Sequence, residues 1–216
     1  MLSRFADEQS NGHSIIAETL PDANSPAVNA GGVSAGADAD EVIVENSLII
    51  GETVRDFRSC TVENRVECRE GVWQAFLTSQ TEKEPLDVLR AVNKFHNQTP
   101  YIADEINWQV SDYWETLGEY FLKDGDCEDY AISKYISLKL LGWAPETMRI
   151  AVIRDENLRI PHAVLVVYFE GKKYILDNQA EAILTDDRIL HYRPVFSINE
   201  TGWWHHVPQR FMRRFR

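Results

Sequence analysis

Four acids within six residues surround a single cysteine in Asp124-Gly125-Asp126-Cys127-Glu128-Asp129, and the run passes through Tyr130 into a segment with helical periodicity. Apolar side chains at 131, 132, 135, 136, 138, 140 and 141 recur at helical spacing, predicting an amphipathic helix that ends at Gly142. Cys127 then falls in the first helical turn. Unpaired backbone N–H groups there carry partial positive charge and favour thiolate, the nucleophilic form. A cysteine near a helix start is more often a small buried residue. It becomes a candidate nucleophile only with a histidine and an orienting acid or amide elsewhere.

Of the six histidines, only His162 opens a strand-like run, 162–169, which breaks at Glu170-Gly171 and resumes over 172–177. That pattern reads as a β-hairpin. A two-residue turn at 170–171 sets Val164 opposite Asp177, making Asp177 the same-face diagonal neighbour of His162, about 7–8 Å away between backbones and within side-chain reach. A bulge would change this register. His191, His205 and His206 have no acid similarly placed after them, and the adjacent pair 205–206 would face opposite sides of a strand.

Cysteine at a helix start, then histidine on a strand, then aspartate on the next resembles the papain and transglutaminase core. More narrowly, Asp126-Cys127-Glu128-Asp129-Tyr130-Ala131, the strand His162-Ala163-Val164-Leu165 and Leu176-Asp177-Asn178 resemble the bacterial transglutaminase-like cysteine proteinases of LapG type. Val92-Asn93-Lys94-Phe95, Asp112-Tyr113-Trp114, Leu141-Gly142, Pro194 to Asn199 and Gly202-Trp203 extend the likeness over roughly residues 60–205. The resemblance implies Cys127 as nucleophile, His162 as general base and acid, and Asp177 as its orienter. It implies a calcium ion held by Asp126, Glu128 and Asp129. It also implies an exported, periplasmic enzyme that cleaves a large surface adhesin and is sequestered by an inner-membrane receptor.

The acid cluster supports a cation on electrostatic grounds as well. Acids this close repel one another and disfavour the thiolate, and a hard divalent cation would relieve both effects. Favourable charge at a helix N-terminus is the simpler reading of the same residues. An EF-hand loop starting at Asp124 is excluded, because its sixth position is Asp129 rather than glycine and its twelfth is Tyr135 rather than glutamate. For the oxyanion, the Cys127 N–H is the natural first donor, and the polar groups of Gln109 and Tyr113 are candidates for the second.

The net charge of −12 argues against a nucleic-acid binder, which needs a basic surface. No apolar run approaches the roughly 18–20 residues of a membrane span. No apolar stretch follows the first eight residues as a signal peptide requires. Of the three cysteines, Cys60 and Cys68 are either a small disulfide in an exported protein or two ordinary thiols.

The 216 residues divide into an acidic arm over 1–45, a domain over 46–208 and a basic tail over 209–216. The arm is rich in Ala, Gly, Ser, Asn and Asp and has too little apolar surface to order itself. Residues 41–44 and 48–50 read as short strands or docking pieces. The tail reads as solvated, or as contacting an acidic partner or the chain's own acidic arm. Helices are expected from Glu70, from Pro85 towards Pro100, and from an N-cap at Ser111 or Asp112 as far as Gly125. Strands follow over 148–153, in the His162 hairpin and over 189–198. Helices first and an antiparallel sheet after give an α+β, papain/transglutaminase-like domain. The chemistry expected is thiol endopeptidase action through an acyl-enzyme. A transglutaminase-like acyltransferase and a non-catalytic binding module are the alternatives.

Overall fold

A computed structural model describes residues 57–207. The expected arm, the segments 41–44 and 48–50, and the tail lie outside the described residues.

Five helices precede the sheet: α1 (Arg65–Thr78), α2 (Pro85–His96), α3 (Asp104–Asn107), α4 (Leu117–Lys123) and α5 (Cys127–Leu140). Pro85 opens α2 at a position where a missing N–H costs nothing. The helix expected from Ser111 or Asp112 begins later, at Leu117. Its cap is Thr116, which accepts the Glu119 N–H while the Glu119 carboxylate accepts the Thr116 N–H at 2.8 Å. The Thr-x-x-Glu spacing of this capping box outcompetes the earlier candidates, because it satisfies two terminal N–H groups at once. Helix α5 starts at Cys127 and ends as expected. Gly142 takes φ +89°, and the Gly142 and Trp143 N–H groups return to the carbonyls of Lys139 and Leu138.

The six strands are β1 (Met148–Asp155), β2 (Ile160–Phe169), β3 (Lys172–Leu176), β4 (Leu184–Thr185), β5 (Tyr192–Asn199) and β6 (Gly202–His205). They form one sheet in the order β4-β3-β2-β1-β5-β6, with every neighbouring pair antiparallel. The fold is α+β, as expected. Glu170 and Gly171 both take positive φ, the geometry of a two-residue hairpin turn whose twist matches the strands. Pairs run unbroken from Phe169↔Lys172 to Leu165↔Leu176. The expected register holds, and Asp177 follows directly on the last pair. Between β1 and β5 the register shifts at Val152/Ile153, close to Pro194, whose missing N–H a bulge tolerates.

Helix α5 lies across β2 and β1. Met148, Ile150, Leu165, Val167 and Leu176 join Leu89, Val92, Phe95, Tyr130 and Leu138 in the main core. Ala151, Ile153, Val164 and Ile175 form a second, smaller cluster, partly covered by Ile189 and Tyr192. Inside the main core, the Ser137 hydroxyl donates to the Ser133 carbonyl and accepts from Trp73 Nε1 at 2.8 Å. The same oxygen lies 2.8 Å from His96 Nε2, so the hydroxyl hydrogen is already used and His96 must be the donor there. Burial, then the nearby Lys134 charge, holds the pKa of His96 well below its usual range, consistent with a neutral ring.

Cys60 and Cys68 are joined by a disulfide that ties the segment before α1 to its second turn. The adjacent Arg69, together with Arg65, binds the carboxylate of Asp124, which is buried at φ +64°. Disulfide, helix and turn thereby form one continuous brace ending three residues before Cys127.

Candidate active site

Cys127 is the free cysteine among the described residues and is part-buried. Its thiol donates to Glu128 Oε2 at 3.2 Å and receives a backbone hydrogen bond from Ala163, the residue after His162. The nucleophile candidate therefore abuts the start of β2. His162 is 3% exposed, and its Nε2 lies 2.9 Å from Asp177 Oδ1. With Nε2 engaged, Nδ1 is the ring nitrogen left for proton transfer.

Asp177 is tightly held. Oδ1 also accepts the Gln179 N–H at 2.9 Å, Oδ2 accepts the Tyr192 hydroxyl, and its carbonyl accepts Asn97 Nδ2 at 2.8 Å. Burial works to raise its pKa, but the His162 hydrogen bond and charge, Tyr192 and the Gln179 N–H together hold it below the usual carboxylate range. Tyr192 and Asn97 were not singled out from the sequence. Tyr192 comes from the far side of the sheet order, beyond the bulge, and no local pattern marks it. Lys134, two turns along α5 from Cys127, is 1% exposed, and burial pulls its pKa down to about 7 against the opposing charge of Asp177.

The acids form a second layer around the thiol. Asp126, Glu128 and Asp129, picked from the sequence, are joined by Asp104, Asp112 and Glu115. Carboxylate oxygens of Asp104, Asp126 and Asp129 come within 4.8 Å of one another, as do those of Asp104, Asp112 and Glu128. Asp129 Oδ1 accepts the Glu115 N–H at 2.8 Å and Oδ2 accepts the Asp126 N–H at 3.0 Å, so this acid also fixes the helix start. Asp104 Oδ1, Glu115 Oε2 and Asp126 Oδ1 are buried with no hydrogen-bond partner. Burial, ahead of mutual repulsion, pushes the pKa of Asp104 up to about 6, Glu115 to about 7 and Asp129 to about 8. Glu128 is driven up by burial and then by its hydrogen bond with Asp126. Partnerless buried oxygens on groups that resist ionisation fit a hard, oxygen-seeking cation, which would replace the missing positive charge. Asp124 stands apart from this set, because its oxygens belong to Arg65 and Arg69.

Burial, then Glu128 through its charge and hydrogen bond, then Asp126, pushes the Cys127 pKa well above the ordinary thiol range, with the Ala163 N–H opposing. Burial thus outweighs the acid repulsion read from the sequence. The oxyanion candidates from sequence fare differently. The Tyr113 N–H and hydroxyl are committed to Asp104 and Glu119, and among the described residues no contact brings Gln109 to the thiol. The segment around them instead supports the acid layer.

A family model described as bacterial transglutaminase-like cysteine proteinase matches residues 54–210. The chain belongs to that family. It is accordingly a cysteine peptidase, a hydrolase. Among solved structures, it is 31% identical to Legionella pneumophila LapG over 68% of this chain and 86% of that one, with a TM-score of 0.58. An EGTA-treated form of LapG gives 30% identity, 69% and 88% coverage and a TM-score of 0.60. A calcium-bound form gives 27%, 75%, 100% and 0.59. No curated protein matches the chain. The LapG structures match in fold, so the transglutaminase-like architecture holds for this proteinase too.

Proposed function

We propose that this proteinase cleaves a specific site in a protein substrate through Cys127, His162 and Asp177. The observation that carries the reading is the 2.9 Å hydrogen bond from His162 to a fourfold-held Asp177, with the Cys127 thiol on the adjacent Ala163 N–H. His162 Nδ1 accepts the thiol proton as sulfur bonds to the scissile carbonyl carbon, and the same proton passes to the leaving amine as the acyl-enzyme forms. Water, deprotonated by His162, then releases the acyl group. Asp177 keeps the ring in the required tautomer and stabilises the imidazolium.

Asp126, Glu128 and Asp129, joined by Asp104, would hold calcium. Its contribution when bound is positive charge beside the thiol. The chain's own part is the partnerless buried oxygens described above, and the existence of calcium-bound and EGTA-treated forms of LapG adds support. The substrate class that follows from the likeness to LapG is a surface adhesin, with an inner-membrane receptor as the holding partner. A periplasmic location accords with the Cys60–Cys68 disulfide, since such bonds persist in oxidising compartments.

The test is cleavage of candidate adhesin N-terminal regions by the calcium-loaded protein. Cys127→Ala and His162→Ala are expected to abolish cleavage while the fold persists, His162→Ala with a lower melting temperature because it leaves buried Asp177 without its main partner, and Asp177→Asn to leave a residue of activity. Wild-type turnover by Cys127→Ala would end this reading.

A further inference from the structure

Tyr101 carries a phenol at the turn that leads into Cys127. Tyr101 forms an isolated parallel bridge with Gly125, and the following Ile102 N–H donates to the Gly125 carbonyl at 3.0 Å. Its ring lies nearly parallel to that of Tyr130, with centroids 6.5 Å apart and planes 16° off. Tyr130 is itself fixed, because its hydroxyl donates to the Thr99 carbonyl. Tyr101 is thus pinned to residues 125 and 130, which bracket Cys127 on both sides in the chain. Cys127 and Tyr130 stand three apart on α5, so they share a helix face.

The residue is 56% exposed, and no described residue shares a hydrogen bond with its hydroxyl. Burial of its inner part, then the charges of Cys127, Asp126, Glu128 and Asp104, raises the pKa of that hydroxyl, so the proton stays on oxygen. The bridge to Gly125, two residues before Cys127, keeps Tyr101 at the turn that leads into the nucleophile. A neutral donor on a stacked ring, in a residue more than half exposed beside the nucleophile's turn, has the properties that an oxyanion site requires. The side-chain donors expected from sequence do not meet them, since Tyr113 is already engaged.

We propose that the Tyr101 hydroxyl is the side-chain donor to the oxyanion formed when Cys127 attacks a carbonyl. This rests on Cys127 being the nucleophile. In the step, the new bond runs from sulfur to carbonyl carbon, the carbonyl π pair moves onto oxygen, and the thiol proton goes to His162. Tyr101 lends a hydrogen bond to that oxygen and keeps its proton throughout. When the intermediate collapses, the carbonyl re-forms and the leaving group departs, protonated by His162 where it is an amine.

Two probes separate the roles. p-Nitrophenyl acetate acylates a thiol through a tetrahedral oxyanion, whereas iodoacetamide alkylates it by direct displacement at carbon without one. With the full chain in calcium, Tyr101→Phe is expected to slow acylation by about tenfold to a hundredfold while the alkylation rate and melting temperature stay at wild-type values. The variant retains the ring and its stacking. Unchanged acylation would overturn the proposal. Equal slowing of acylation and alkylation would also overturn it, showing that the hydroxyl acts on the thiol. Cys127→Ala that still releases p-nitrophenol in a burst would instead remove the nucleophile assignment on which the proposal stands.

Discussion

The two oxygens of Asp177 are unequal in what depends on them. Oδ1 serves the histidine and the Gln179 N–H, while Oδ2 serves Tyr192. Removing the Tyr192 hydroxyl leaves the His162 bond in place but takes away one of the donors that hold the Asp177 pKa down. Because that pKa is depressed by folding, Asp177 contributes stability above its unfolded pKa, and the contribution is lost as pH falls through the folded pKa. Tyr192→Phe is therefore expected to unfold in acid at higher pH than wild type and to lose about 1 kcal/mol at neutral pH. Acid titrations followed by circular dichroism would show it. A second change concerns Gly125. A Cβ there would meet Asp129 Oδ2 at 2.4 Å, so Gly125→Ala must displace the acid that fixes the helix start. Loss of activity together with a lower melting temperature is expected, and wild-type behaviour in both would show that the turn yields.

The braces on α1 act at a distance along the chain. Arg69 is 3% exposed and bridges to Asp124 and to the Phe121 carbonyl, so it joins α1 to both the end of α4 and the turn before Cys127. Arg69→Met would leave a buried carboxylate with Arg65 as its one remaining ionic partner among the described residues. A loss of about 3 kcal/mol is expected, the lower end of the range for breaking a buried pair, measured by urea unfolding. These braces also show where sequence reading stops. Helix α5 and the His162 hairpin were legible because periodicity, turn chemistry and register are local, and register alone predicted the His162 to Asp177 reach. Asp104, Glu115, Tyr192 and Tyr101 were not, because each is brought in by tertiary packing from a separate segment. The start of α4 was written in Thr116-Leu117-Gly118-Glu119 and was missed in favour of Ser111 and Asp112, weaker signals without a partner at the third helical position.

For the molecule as a whole, the acid layer sets how stability responds to pH. Asp104, Glu115 and Asp129 have folded pKa values of about 6, 7 and 8, above the ordinary unfolded values near 4. Across that window the folded chain holds more protons than the unfolded one. The stability contributed by this layer therefore falls as pH rises from about 4 to about 8 in the metal-free protein, while His96 and Lys134, both depressed by burial, work the other way. Calcium at these oxygens would oppose the trend. The melting increment from added calcium over chelator is expected to grow with pH over this range, and no increment at any pH would show that the layer binds no cation.

The sheet order has a further consequence for when the enzyme exists at all. The helix carrying Cys127 is synthesised before His162, and Asp177 gains its Tyr192 clasp only with the strand that also flanks β1. A growing chain cannot hold the complete arrangement until residue 192 has emerged, so the Cys127 thiol leaves the ribosome before its neighbours on the sheet exist. Vectorial synthesis thereby makes the order of emergence, helix first and sheet last, the order in which the surroundings of Cys127 are completed.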